Sequence, residues 1–179
     1  MVKTVDLPAN GMNYMAICHP HSAMALSHGF AFGTEGIGIT DHHFPGLRSY
    51  IFALGADVLF PIMRELYSAL GRRKASDQTM TGLLSTTSNT IAALVVGGMR
   101  EQTVQKSDQF CLVVRRRRGF CRIALKTGTQ LVPMIAFGED RSHTKIDHRF
   151  FTKLYLGRWY SPVPLRVPIT MVFGPVVEV

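Results

Sequence analysis

The 179-residue sequence holds only three cysteines, one tryptophan and 12 acidic residues, and charged side chains of both signs make up just 18% of it. Cys18, Cys111 and Cys121 are odd in number and irregularly spaced, which speaks against a disulfide scaffold and fits a reduced, cytosol-facing domain. No uninterrupted apolar run approaches the roughly 20 residues of a bilayer-crossing helix, so no transmembrane span is expected. Asp6, Pro8 and Asn10 stand where a secretory leader would carry its apolar region, so no secretory address is expected. Internal repeats and low-complexity tracts are also missing. With 46% hydrophobic residues, the chain is too apolar for disorder and long enough to bury a sizeable core as one domain over residues 1–179.

The charge that is present is mostly positive. Twenty Lys and Arg give a formal net charge of +8, which predicts attraction to an anionic partner. It concentrates at Arg72, Arg73 and Lys74, and at residues 115–118 with Arg122 and Lys126. A helix is expected over residues 118–126, with Phe120, Ile123, Ala124 and Thr127 on one face and Arg118, Arg122 and Lys126 on another. Like charges at that spacing cost an isolated helix a few tenths of a kcal/mol per pair, roughly, which an anionic ligand would offset. No helix-turn-helix, RNA-recognition or zinc pattern accompanies the arginines, so a specific nucleic-acid partner is not expected.

The chain is organised around residues 13–33. An apolar strand is expected over 14–18 and a helix over 23–32 with Ser22 as its N-cap, and His19 and His21 sit at the joint. Pro20 disfavours helical backbone at His19, so the strand ends there. In open α/β sheets the chemistry collects beyond the carboxyl ends of strands, and imidazole, with an ordinary pKa of about 6.5, suits the removal of a proton from an alcohol. A His-x-His pair can also hold a metal. No third ligand follows at a recognisable spacing, however, and Pro20 spoils the regular strand, so no metal is expected.

Beyond this joint, a loop is expected over 33–46, a helix over 47–54, a strand over 57–60 and a helix over 61–70. A basic loop at 72–74 then leads to Ser76, the N-cap of a helix over 77–85. Strands are expected over 90–96, 110–114, 131–137 and 169–173, Gly128 ends the helix that follows Arg118, and residues 144–159 read as a helix with aromatic and basic residues interleaved. The alternation predicts an α/β fold with a mostly parallel central sheet flanked by helices.

His19-Pro20-His21-Ser22, Phe32-Gly33-Thr34-Glu35, Phe44-Pro45-Gly46-Leu47-Arg48, Val95-Val96-Gly97-Gly98 with Glu101, Arg118-Gly119-Phe120 through Ala124 and Gly128, Leu131-Val132-Pro133 and Phe137-Gly138-Glu139 follow one another in this order. Together they resemble the diacylglycerol acyltransferase type 2 family, whose members include monoacylglycerol and wax-alcohol acyltransferases and whose signature is His-Pro-His-Gly. The resemblance implies a glycerolipid acyltransferase-like fold and transfer of a fatty acyl group from acyl-CoA, as co-substrate and without a separate cofactor, to a glyceride or long-chain alcohol. It implies work at the cytosolic face of the endoplasmic reticulum membrane or at a lipid-droplet surface, where Trp159, Tyr155, Tyr160 and Phe151, interleaved with Lys153 and Arg158, would provide peripheral attachment.

By the same resemblance His19 is the first choice for the general base and His21 the second. The wider glycerolipid acyltransferase group places an acid five residues after its histidine, but Met24 and Leu26 stand there, so Glu35 and Glu101 are the candidates for orienting the imidazole. Arg118, Gly119, Phe120, Arg122 and Lys126 form the expected acyl-CoA-binding block, the basic side chains meeting the CoA phosphates. Three departures from the family pattern are visible: Ser22 in place of the signature glycine, and no counterpart of the family's N-terminal membrane hairpin or of its C-terminal segment. They leave a catalytically inactive lipid-surface relative as the alternative.

Overall fold

Strand β2 (Tyr14–His19) is buried along its whole length, as expected of an apolar strand covered on both faces. The computed structural model describes residues 1–22, 25–34, 36–53, 65, 68–69, 71–104, 111–146, 154–161 and 163–179. Around β2 lie β1 (Val2–Lys3), β3 (Arg48–Ala53), β4 (Arg72–Lys74), β5 (Thr90–Val95), β6 (Gln130–Phe137) and β9 (Thr170–Phe173), in the sheet order β1-β9-β6-β2-β5-β3-β4. The five strands from β4 to β6 run parallel. β9 lies antiparallel to β6, and β1 parallel to β9. A small antiparallel pair, β7 (Thr144–Ile146) with β8 (Leu154–Leu156), stands apart from this sheet.

Side-chain alternation along β2 feeds two cores. Tyr14, Ala16 and Cys18 join Ile91 and Ala93 of β5 in a cluster closed by Ala31 and Phe32 of α1 (Leu26–Gly33). Met15 and Ile17 point the other way, to Met80 and Leu84 of α2 (Asp77–Thr86) and Ile123 of α4 (Gly119–Thr127). Asn13 locks the start of β2, donating to the carbonyls of Leu84 and Thr87 and accepting the Thr90 N–H.

β2 is the point at which the strand order reverses: from it the chain builds β3, β4 and β5 on one flank, then β6 on the other. The segments that leave the carboxyl ends of β2, β5 and β6 therefore meet along one edge, the usual place for a site in such sheets.

Several expected elements are borne out. Ser76 caps α2 by accepting the Thr79 N–H, and Gly128 ends α4 with φ of 64°, a left-handed conformation that glycine adopts readily. Others are corrected. Residues 48–53 are strand rather than helix, because β5 pairs with them along most of their length. Arg72, Arg73 and Lys74 form edge strand β4 rather than a loop. Residues 111–114 are irregular rather than a strand, and 144–146 with 154–156 pair as a hairpin where one helix was expected. Ser22 does not cap α1, which begins at Leu26 after a left-handed Ala25. The strand expected over 57–60 lies outside the described residues, as does most of the helix expected over 61–70 and Phe110 of the 110–114 strand. No described helix is long and apolar enough to cross a membrane.

Candidate active site

His19 ends β2, and its ring lies beside α3 (Gly98–Val104), which follows β5. Nδ1 of His19 lies 2.9 Å and 3.1 Å from the two carboxylate oxygens of Glu101. The carboxylate also accepts the N–H of His21 at 2.6 Å and that of Val113 at 2.7 Å. One buried anion thus fixes the first histidine, the backbone of the second and the irregular segment that precedes α4. Burial alone would push the Glu101 carboxyl up. The hydrogen bonds from His19, Val113 and His21, with the charge of His19, outweigh it and hold the group below the usual carboxylate range.

Glycine makes this approach possible. A Cβ on Gly97 would overlap the Glu101 carboxylate, so the β5–α3 turn needs a residue without a side chain there. Arg117 reaches the same turn, donating to the Gly97 carbonyl at 3.1 Å.

Because a carboxylate only accepts, the neutral form of His19 carries its proton on Nδ1 and keeps its lone pair on Nε2. That Nε2 is buried and has no hydrogen-bond partner among the described residues, while the residue as a whole is 6% exposed. A buried, oriented imidazole with an unused acceptor nitrogen can take a proton from a hydroxyl that reaches it. His21 is more open. Its Nδ1 donates to the Ser22 carbonyl at 2.7 Å, which fixes the ring and likewise leaves Nε2 as the acceptor.

A second carboxylate stands across β2. Glu139 follows β6 and is fully buried. It accepts from the Ser22 hydroxyl at 2.9 Å and from the Ser27 hydroxyl in the first turn of α1. Burial dominates here and raises its pKa above the usual carboxylate range. Ser22 is not among the residues with positive φ, so a serine is accommodated at the signature position without backbone strain.

Of the residues singled out from sequence, the structure brings His19, His21 and Glu101 together. Glu35 lies outside the described residues. Arg118, Gly119, Phe120, Arg122 and Lys126 share α4 and its N-cap, on the sheet face reached by Met15 and Ile17. Arg118 and Arg122 are exposed, Phe120 packs against the second core, and Lys126 lies 3.5 Å from Asp77. Sequence reasoning missed Glu139 as a site residue, along with Ser27, Arg117 and the Val113 N–H. Glu139 carried one sequence signal, its place in Phe137-Gly138-Glu139 just past a strand, and Arg117 another, its place in the basic run 115–118.

The sequence pattern of the diacylglycerol acyltransferase family matches residues 1–156. The mouse acyl-CoA wax alcohol acyltransferase 2 is 36% identical over 153 residues, covering 85% of this chain and 44% of that protein. Human diacylglycerol O-acyltransferase 2 is 32% identical over 160 residues, covering 89% and 40%. The chain thus spans less than half the length of these two relatives. Among solved structures, the 1-acyl-sn-glycerophosphate acyltransferase PlsC of Thermotoga maritima superposes with a TM-score of 0.56 at 14% identity, covering 99% of this chain and 60% of that one. This likeness extends to the α/β fold with its mostly parallel sheet. The motif order from His19 to Glu139 and the match over most of the sequence lead to one assignment: the chain belongs to the diacylglycerol acyltransferase type 2 family.

Proposed function

We propose that this chain transfers a fatty acyl group from acyl-CoA to the hydroxyl of a neutral lipid, diacylglycerol foremost, with His19 as general base. The observation that carries the reading is the buried His19–Glu101 pair with Nε2 of the imidazole unengaged. A thioester is already activated, so no covalent enzyme intermediate is needed. His19 Nε2 draws the proton from the attacking alcohol, the hydroxyl oxygen bonds to the thioester carbon, and the tetrahedral intermediate expels CoA thiolate, which recovers the proton. His21 is the second candidate for this task. The intact His19–Glu101 pair and the unstrained Ser22 favour an enzyme over an inactive relative. The test is transfer of labelled oleate from oleoyl-CoA to diacylglycerol, monoacylglycerol and a long-chain alcohol by protein shown to be folded; no product from any acceptor overturns the reading.

Arg118 and Arg122 are assigned to the CoA phosphates. Both are exposed and without an ion-pair partner among the described residues, and they flank the amino end of α4, where N–H groups and the helix dipole favour an anion. Lys126, already paired with Asp77, adds less. The Arg118→Glu/Arg122→Glu double variant is expected to raise KM for acyl-CoA about tenfold or more with kcat little changed, whereas Lys126→Glu changes it about twofold at most. An unchanged KM in the double variant removes these arginines from the site.

The surface assigned to a membrane or lipid droplet includes Trp159 and Tyr160, which are 74% and 86% exposed. The Arg158 guanidinium lies 4.2 Å from the Trp159 ring centroid. The hairpin preceding them packs on α3: Lys145 and Tyr155 both donate to the carbonyl of Gln102, next to Glu101. Phe151 and Lys153 lie outside the described residues. Aromatic rings beside a cation suit the interface between headgroups and acyl chains. Trp159→Ala/Tyr160→Ala is expected to weaken flotation with lipid vesicles about tenfold; equal flotation of the variant rejects this surface.

A further inference from the structure

We infer that Glu139 is a positioning residue of the reaction proposed above, and that Ser22 is the hydrogen-bond donor this chain supplies to it in order to hold His21. The inference rests on the acyltransfer reading and adds to it a second carboxylate with a separate task.

Residues 19–22, at the end of the central strand, and Ser27 at the start of α1 are held from two flanks. On one side Glu101, after β5, takes Nδ1 of His19 and the N–H of His21. On the other, Glu139, after β6, takes the hydroxyls of Ser22 and Ser27. β6 lies directly against β2, with Ile135 opposite His19, so Glu139 reaches the segment from a rigid neighbour. α1 has no side-chain cap of its own, and the Ser27 hydroxyl in its first turn ties it to Glu139.

Glu139 is tied to His21 through one residue. Ser22 donates its hydroxyl to Glu139 and its carbonyl receives Nδ1–H of His21. A displacement of Ser22 therefore displaces the His21 ring, while His19, held by Glu101, stays in place. Two hydroxyl donors, one to each oxygen, converge on a carboxylate that is 0% exposed, and removing one leaves a buried oxygen short of a partner. Ser22 is then an integrated part of the site. Replacing it with the glycine of the family signature removes a donor and frees the backbone, and so impairs turnover rather than restoring it.

The experiment is a double-mutant cycle of Ser22→Ala and Glu139→Gln, with Ser22→Gly alongside and His19→Ala as control in the same assay. Each of the three Ser22 and Glu139 variants is expected to lower kcat about tenfold or more with KM for acyl-CoA within about twofold. The double variant should lose no more than the worse single one, since the two residues act through one contact. Ring ¹⁵N spectra read the same link without turnover. His21 should carry its proton on Nδ1 in the wild type and become a mixture of tautomers in Glu139→Gln, while the His19 signals keep their positions. Wild-type kcat in Ser22→Ala and Glu139→Gln, losses that add, or an unchanged His21 tautomer overturns the inference. If these variants behave as expected but His19→Ala turns over normally, the assignment of His19 as base fails instead.

Discussion

Replacement of His19 by alanine is expected to lower kcat for acyl transfer about 10³-fold, within the range of about 10² to 10⁴ that a positioned general base contributes. KM for both substrates should change little, because Nε2 acts on the hydroxyl proton only as the bond to the thioester carbon forms. The expectation rests on the surroundings of the ring. Nδ1 faces an anion at 2.9 Å, which selects one tautomer, stabilises the imidazolium that develops and leaves Nε2 no alternative use. The same replacement at His21 is expected to cost less, since that ring's Nδ1 is fixed by a neutral carbonyl, that of Ser22, rather than by a carboxylate. A His19→Ala protein that keeps more than about a tenth of wild-type kcat would transfer the role of base to His21.

The part of this site that could be read from the sequence is the part that is local in it. An apolar run stopped by proline marks the end of β2, and two histidines at a strand terminus announce their own chemistry. Glu101 was legible through the family resemblance, which carries an acid to the stretch after Val95-Val96-Gly97-Gly98, although the contact with His19 spans 82 residues. Glu139 and Arg117 were not legible as site residues, because their roles depend on strand order: only the placement of β6 beside β2 brings Glu139 to Ser22. The secondary-structure errors have the same origin. Leu47, Tyr50, Ile51 and Leu54 have helical spacing, yet pairing with β5 makes residues 48–53 a strand, since β structure is decided by neighbours more than by intrinsic preference. The three cations at 72–74 resemble a loop but form an edge strand, where positive charge discourages pairing with another chain.

Glu101→Gln is expected to cost kcat about 10² to 10³-fold and to change the acid stability of the protein as well. The amide keeps the shape of the carboxylate but not its charge, and its NH₂ must face one of three donors: His19 Nδ1–H, His21 N–H or Val113 N–H. If it faces His19, the ring loses the tautomer that leaves Nε2 free; if it faces a backbone N–H, the His19-Pro20-His21 turn shifts. A buried donor left unpaired costs about 1–3 kcal/mol in either case. The pH dependence follows from the direction of the shift. The Glu101 carboxyl is held below its usual range in the folded state, so its ionised form adds stability at pH values above the unfolded pKa. That contribution is lost as the pH falls through the folded value. Urea unfolding at neutral pH should show the variant less stable than wild type, with the difference narrowing toward acid, and a constant difference would place the stabilisation elsewhere. Gly97→Ala tests the same contact from the opposite side. Its new methyl overlaps the carboxylate, so it should also lower kcat sharply while leaving the charge and both histidines in the sequence; loss of activity in both variants ties catalysis to where the carboxylate sits as well as to its charge.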